Sequence, residues 1–341
     1  MNDVTVVGAG PIGLAIAWRC AARGMTVEVA DDGLPGAWHA AAGMLGPVSE
    51  SYFGEGALTA LLVESARRWP GFAAELGAEE IGYRASGTLV VALTGDDLAE
   101  VERLRVYQES LGLPITPQRP GELRDREPLL SPRVRGGAYA PDDHQVDPRR
   151  LVPALRGAAT SAGAAIVREP RPARITVVAA GTGSAAVAGV PVRPVKGQIL
   201  RLRAPGHQPP GFSHVIRGYA DGRHAYLVPR LDGEVVVGAT VEERTDAHVT
   251  AGGVSELLRA AADLVPEINE YELVEAIAGH RPGTPDNAPL IGAVGEGVIV
   301  ATGHYRHGIV LTPVTADLVA DLVETGVPDP MLGPFAPGRF A

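Results

Sequence analysis

The chain has 341 residues, 45% of them hydrophobic, which allows a sizeable core and, by length, about two domains. A net charge of −10 without a block of lysine or arginine argues against nucleic acid or an anionic membrane as the partner. The single cysteine, Cys20, excludes an intrachain disulfide, fits a reducing cytoplasmic compartment, and lies among apolar residues as a structural thiol does.

Val4–Val7 reads as a strand and Leu14–Arg23 as a helix stopped by Gly24. Between them runs Gly8-Ala9-Gly10-Pro11-Ile12-Gly13. Gly8 permits the tight turn, Gly10 lets a pyrophosphate approach the backbone, and Gly13 lets helix and strand pack closely. The helix start offers free N–H groups and a positive dipole end to phosphate. A second strand, Met25–Ala30, delivers Asp31 with Asp32 beside it, at the spacing of a carboxylate that holds an adenosine ribose. Strand, glycines, helix and acid together predict a dinucleotide site. Asp3 stands where a signal peptide needs a basic residue, Gly8, Gly10 and Pro11 break the apolar run, and no uncharged stretch of about 20 apolar residues follows. A soluble protein without a membrane partner is expected.

Ala57–Leu76 repeats apolar residues at helical spacing, among them Leu58, Leu61, Leu62, Trp69 and Phe72. Gly87–Leu93 reads as a strand and Asp96–Leu111 as a helix with an acidic first turn. Ala138–His144 reads as a polar loop. Asp147–Ala162 reads as a helix with Asp147 as N-cap and Pro148 in its first turn. Ala164–Arg168 and Ile175–Ala179 read as buried parallel-type strands joined only by residues 169–174. Val195–Leu202, His224–Val228 and Glu234–Gly238 read as antiparallel strands, followed by a helix over Gly253–Leu264. Val298–Thr302 is a last buried strand, followed by a glycine-rich turn and a helix over Ile309–Thr325. The expected fold class is α/β, or α+β overall. Residues 1–80, 143–193 and 275–341 form a discontinuous Rossmann-like domain, and 81–142 and 194–274 form an inserted antiparallel-sheet substrate domain.

The glycine turn alone does not separate one dinucleotide from another. Four later segments do: Ala40-Ala-Ala-Gly-Met44-Leu, Pro194-Val-Lys-Gly-Gln198, Tyr226-Leu-Val-Pro-Arg230, and Arg281–Gly292 running on to Gly303-His-Tyr-Arg-His-Gly308. Over nearly the whole chain these resemble the D-amino-acid oxidase superfamily of FAD-dependent amine oxidoreductases, and within it the glycine oxidases of the thiamine pathway. The resemblance implies a non-covalent FAD. It implies cofactor contacts at Gly8, Gly10, Pro11, Ile12, Gly13, Asp31, Asp32, Val167 and Gly181. It implies that Gly43 and Met44, with Ala42 beside them, lie near flavin N5, and that Gly303, His304, Arg306, Gly308 and Ile309 face the flavin pyrimidine, with His307 a further cofactor contact. A helix start aimed there would stabilise the charge of reduced flavin.

Hydride transfer from the substrate Cα to N5 needs no side-chain base if the amine enters neutral. The protein's task is then orientation and water exclusion. By the resemblance, Arg281 clamps the substrate carboxylate from a Gly/Pro turn, and Tyr226 is its second ligand. Arg306 either closes the pocket or pairs at the surface. His224 shares the face of Tyr226 and is either a cavity residue or a structural one. Gln198 either lines the site or bonds to the sheet. Glycine, or a small or N-substituted glycine, would give an imine, then glyoxylate plus amine, while oxygen gives hydrogen peroxide. The partners implied are a small amino-acid substrate and oxygen, with a homo-oligomer left open and no metal. The rivals are an oxidase of a larger N-carboxymethyl amine, a general D-amino-acid oxidase, an NAD(P)-dependent dehydrogenase, and a flavin-binding subunit or partner-docking module without catalysis of its own. Three departures stand out. The 169–174 connector is shorter than the family's hairpin, position 307 is His where Asn is common, and Cys20 is far from the flavin-ring segments, so attachment through sulfur is not expected.

Overall fold

The computed structural model describes residues 1–340. Asn2–Val7 lies inside a six-stranded sheet whose order across is 290–295, 298–302, 173–178, 2–7, 27–30 and 165–167. Its strands run parallel except for the edge hairpin Leu290–Gly295 with Val298–Thr302. Parallel strands are covered on both faces, and Val4, Val6, Val29 and Val177 are fully buried accordingly. Pro11–Ala22 packs on this sheet under the helices Pro148–Ser161 and Thr312–Thr325, so it is apolar nearly all round. Cys20 is buried there, and burial pushes its thiol up to about 12, which makes it inert at neutral pH. At Gly13 the helix meets the strand so closely that a Cβ would collide with the Gly8 carbonyl.

An eight-stranded sheet runs in the order 272–283, 193–203, 234–238, 223–229, 215–220, 88–92, 136–140 and 116–118. It is antiparallel except where Val215–Ala220 runs parallel to Thr88–Ala92. Helix Ala251–Leu264, capped by Thr250, covers one face with Leu257, Ala260, Ala261 and Leu264. Helix Gly95–Ser110 opens with a reciprocal Thr94/Asp97 cap. Asp97 also accepts the N–H groups of Asp221 and Gly222, which ties this helix to the 215–229 hairpin.

The helices over 56–76, 148–161 and 251–264 fall where the sequence places them, as do the strands in the cores of 2–7, 193–203, 223–229 and 234–238. Several readings are corrected. Ala138–Ala140, the start of the 138–144 segment read as loop, belongs to the strand Gly136–Ala140, whose small residues fit between two neighbours, and Gly137 has no room for a Cβ beside the Val90 carbonyl. Glu272–Gly283 is a long strand paired along its length with Arg193–Arg203, so the domain boundary expected at 275 falls inside the eight-stranded sheet. Arg281 therefore sits on a strand, not in a turn. This strand is an edge, where the missing N–H of Pro282 leaves no ladder bond unmade. Strands 165–167 and 173–178 are not neighbours. Their connector passes the two strands between them, 27–30 and 2–7, where Arg171 bonds Glu28 and its carbonyl accepts from Thr5. The last long helix begins at Thr312 rather than Ile309. Among the described residues no helix is long and apolar enough to cross a membrane.

Candidate active site

One cavity of about 900 Å³ runs between the two sheets. It begins at the Gly8–Ile12 turn, passes Asp31, Asp32 and Ala40–Met44, and ends among Arg217, His224, Tyr226, Arg281 and the Thr302–Arg306 turn.

At its first end the backbone forms a cradle. Gly8 has a φ of +110°, and a Cβ there would lie 2.5 Å from the Ala179 carbonyl oxygen. Gly10 is different: a Cβ would meet nothing nearer than Trp38, at 3.9 Å, so its smallness serves the cavity rather than the protein's packing. No side chain caps the helix that follows, which leaves its first N–H groups to a ligand. Burial pushes the Asp31 carboxyl up, but the Arg156 guanidinium and the Gly33 N–H (2.9 Å) outweigh it and hold Asp31 ionised. Asp32 accepts the Leu34 N–H at 2.9 Å. The elongated cavity, bare helix start and strand-end carboxylate fit a dinucleotide. Gly181 lines this end; Val167 does not, its carbonyl accepting the Asp31 N–H while the neighbouring Arg168 lines the cavity. Gly13 serves packing alone.

In the middle, Met44–Leu45 pairs with His144–Gln145. Arg230, from the Tyr226–Arg230 motif, donates to the Ala42 carbonyl and to Gln145 Oε1 (2.8 Å). It thereby locks the 42–44 segment onto the larger sheet. Its burial pulls the guanidinium pKa down to about 10, so it stays charged at neutral pH.

The far end is built by strand register. Arg217 is paired with Tyr226, Tyr226 with Gly238, and Gly238 with Ile199. Two and four residues before Ile199, Gly197 and Val195 pair with Gly279 and Arg281. Period-two alternation thus puts Arg217, Tyr226 and Arg281 on one sheet face. The Tyr226 ring lies over Gly238, where a Cβ would come within 2.7 Å of it. The Arg281 guanidinium lies over Gly197, and its Nη1 donates to the Thr240 carbonyl at 3.2 Å. Burial raises the Tyr226 pKa, so the phenol remains an O–H donor. Arg306 is exposed at the cavity wall and makes no ion pair among the described residues. His304 is buried, donates to or accepts from Thr315 Oγ1 at 3.1 Å, and burial pushes it down to about 3, so it is neutral. Gly303, Gly308 and Ile309 line the cavity, whereas His307 is turned away, buried behind it.

His224 lines the cavity against Tyr219. Gln198 does not line it. It donates to Glu242 Oε1 (2.7 Å) and accepts from the Thr250 N–H (2.8 Å), holding the 240–250 segment in place. Lys196 is wholly buried and reaches Asp246 at 2.8 Å in the same segment.

Two charged residues of the cavity wall escaped the sequence reading. Asp143 accepts the N–H groups of Val48 (2.9 Å) and Ser49 (3.0 Å) and so shapes the turn that delivers Glu50. Arg217 Nη1 donates to Glu50 Oε1 at 2.6 Å, and His307 Nδ1 lies 3.5 Å from Glu50 Oε2 without a hydrogen-bonding alignment. Burial pushes the Glu50 carboxyl up, but Arg217 and His307 more than reverse this and bring it to about 2. Recognising Val215–Ala220 as the partner of the 223–229 strand would have found Arg217.

The cradle, the acid and the cavity between the sheets define a dinucleotide-dependent oxidoreductase, and the chain matches the FAD dependent oxidoreductase family over residues 3–322. The chain belongs to that family, and its cofactor is FAD. The glycine oxidase of Geobacillus kaustophilus is 35% identical over 356 residues, covering 94% of this chain and 93% of that relative. A crystal structure of glycine oxidase from the same species matches with a TM-score of 0.89 at 34% identity, covering 99% of this chain and 98% of that one. The bifunctional protein ThiO/ThiG of a Synechocystis species is 34% identical over 378 residues; these cover 99% of this chain but only 54% of that longer relative. This chain thus spans about half the length of the bifunctional relative.

Proposed function

We propose that the chain oxidises glycine, or a glycine with a small substituent on nitrogen, to the imine, which hydrolyses to glyoxylate and amine while oxygen is reduced to hydrogen peroxide. The observation that carries this reading is the convergence of Arg281 and Tyr226 on one sheet face at the cavity end opposite the nucleotide cradle. Bound FAD supplies the two-electron acceptor for the Cα–N bond. Arg281 offers a planar fork to the substrate carboxylate, and Tyr226 adds an O–H donor. Gly8, Gly10, Pro11, Ile12, Asp31 and Asp32 would hold the dinucleotide, with Ala42–Met44 and the Gly303–Ile309 turn against its flavin end. Glu50, brought to about 2 beside Arg217 and His307, and His304, pushed to about 3 by burial, are poor proton acceptors, which supports an amine that enters neutral. Fixing the carboxylate leaves nitrogen as the direction in which a substrate can grow. An NAD(P)-dependent dehydrogenase, the rival left by the glycine turn alone, is set aside by the family.

Oxygen uptake by the FAD-loaded protein tests the reading. Glycine and sarcosine should be turned over faster than longer D-amino acids. Arg281→Ala should keep FAD and lose about 2–5 kcal/mol in kcat/KM, as for a buried charged contact cut on one side. Tyr226→Phe should lose about 1–3 kcal/mol. Faster turnover of a bulky D-amino acid, or a milder effect at Arg281 than at Tyr226, contradicts the assignment.

A further inference from the structure

Arg217 has no task in the reaction described above, yet it lines the same cavity. Among the described residues its one hydrogen bond is Nη1 to Glu50, and the side chain is 24% exposed, so most of its N–H groups have no acceptor there. Arg230 is unlike it, with both terminal nitrogens bonded to Ala42 and Gln145. Glu50 fixes Arg217 from one side and is itself fixed by the turn that Asp143 holds.

The sheet order gives Arg217 its place relative to the clamp. Its strand, 215–220, neighbours that of Tyr226, and three strands separate it from the edge strand that carries Arg281. Tyr226 stands between the two arginines on the same face. A carboxylate held by Arg281 and Tyr226 therefore leaves Arg217 on the other side of the phenol. The charge count agrees. Arg217, Arg281 and Arg306 face this end of the cavity against the single acid Glu50, an excess of two positive charges. Glycine brings one carboxylate.

We infer that Arg217 is a specificity-determining residue that receives a second carboxylate, carried on the substituent at the substrate's nitrogen. The preferred substrate class is then a secondary amine with a carboxylate at each end, an N-carboxyalkyl glycine. Arg217 meets the far carboxylate with the N–H groups that Glu50 leaves free, and a guanidinium is suited to that planar acceptor. Glu50 sets the orientation of Arg217 and opposes an over-tight hold on the dianion. This inference rests on the proposed oxidation of glycines and narrows its substrate.

The test compares kcat/KM for iminodiacetate, the smallest such substrate, with that for sarcosine, which has a methyl group in place of the second carboxymethyl group. Wild-type enzyme should prefer iminodiacetate. Arg217→Gln should lower the iminodiacetate-to-sarcosine ratio by about tenfold or more, mostly through KM, and Arg217→Lys should restore part of it. Glu50→Gln keeps a side-chain oxygen to accept from Arg217 Nη1 but removes the anion beside the second carboxylate, so it should move the ratio the other way. Each variant is scored after its FAD content matches wild type; should Arg217→Gln fail to load, the Lys and Glu50 variants carry the comparison. A ratio that stays within about threefold of wild type in all variants, or that falls in parallel for Arg217→Gln and Glu50→Gln, overturns the inference and makes the pair structural. If sarcosine and glycine are oxidised in an Arg281-dependent way while the ratio does not move, only this inference fails. If neither is oxidised, the proposed function itself fails.

Discussion

Gly197→Ala probes the clamp without touching either of its side chains. A Cβ at position 197 would lie 2.6 Å from Cζ and Nη2 of Arg281, whereas ordinary contact begins at 3.4 Å. Nη1 lies nearer still, so the guanidinium must retreat by more than about 1 Å, and the 3.2 Å bond of that nitrogen to the Thr240 carbonyl is lost with the move. The obstructed atoms are the end of a flexible side chain, so the strand pair 193–203 and 272–283 keeps its register and the fold absorbs the methyl group. A catalytic contact displaced by about 1 Å loses on the order of 100-fold in rate, or about 2.7 kcal/mol. The assay is kcat/KM for glycine by oxygen electrode, with flavin content and a thermal melt on the same preparation. FAD stoichiometry should match wild type and Tm should stay within roughly 5 °C. Gly157→Ala is the control, since it lies in the Pro148–Ser161 helix with open space where the methyl group would go. Wild-type kcat/KM in a folded, FAD-loaded Gly197→Ala protein would refute the position of Arg281 as its working one.

Gly10→Val should fold normally by circular dichroism, because the protein leaves space at that position, yet purify colourless because the added methyl groups fill the phosphate cradle; a yellow protein of normal stoichiometry places the site elsewhere. Acid precipitation of wild type should leave the flavin in the supernatant, since the lone thiol is buried in the Pro11–Ala22 helix, and a yellow pellet would contradict this. Glu50 has a folded-state pKa of about 2 against 4.5 unfolded, so its contribution is complete above pH 4.5 and is lost as pH falls toward 2. That contribution is about 3 kcal/mol, and Glu50→Gln should give a correspondingly shallower acid limb in stability against pH. Equal slopes in both proteins would remove the Arg217–Glu50 pair from the account.

The nucleotide half of the fold is legible because its chemistry is local. A turn, a helix start and a strand-end acid lie within the first 31 residues, and each is set by near neighbours in sequence. The cavity's other end has no such economy. Glu50 and Arg217 meet across 167 positions, and no spacing rule links them. Glycine also changes its meaning there. In the sequence it reads as a turn or a stop at Gly8 and Gly24, and Val215–Ala220 and Glu272–Gly283 carry no strand reading. In the structure Gly218 makes room for Leu264, Gly279 for Ala40, Gly238 for Tyr226 and Gly197 for Arg281. These glycines lie within or beside strands as seats for side chains from other elements. A turn glycine answers to its own φ, which sequence can anticipate from the neighbouring residues. A seat glycine answers to a residue on another element, so it can be understood only once the register is known. The resemblance named Arg281 and Tyr226, and both line the cavity, but it carried no register. That is why it could place Arg281 in a turn while the strand that holds it, and the partner that Arg217 makes with Tyr226 on the same face, stayed out of reach.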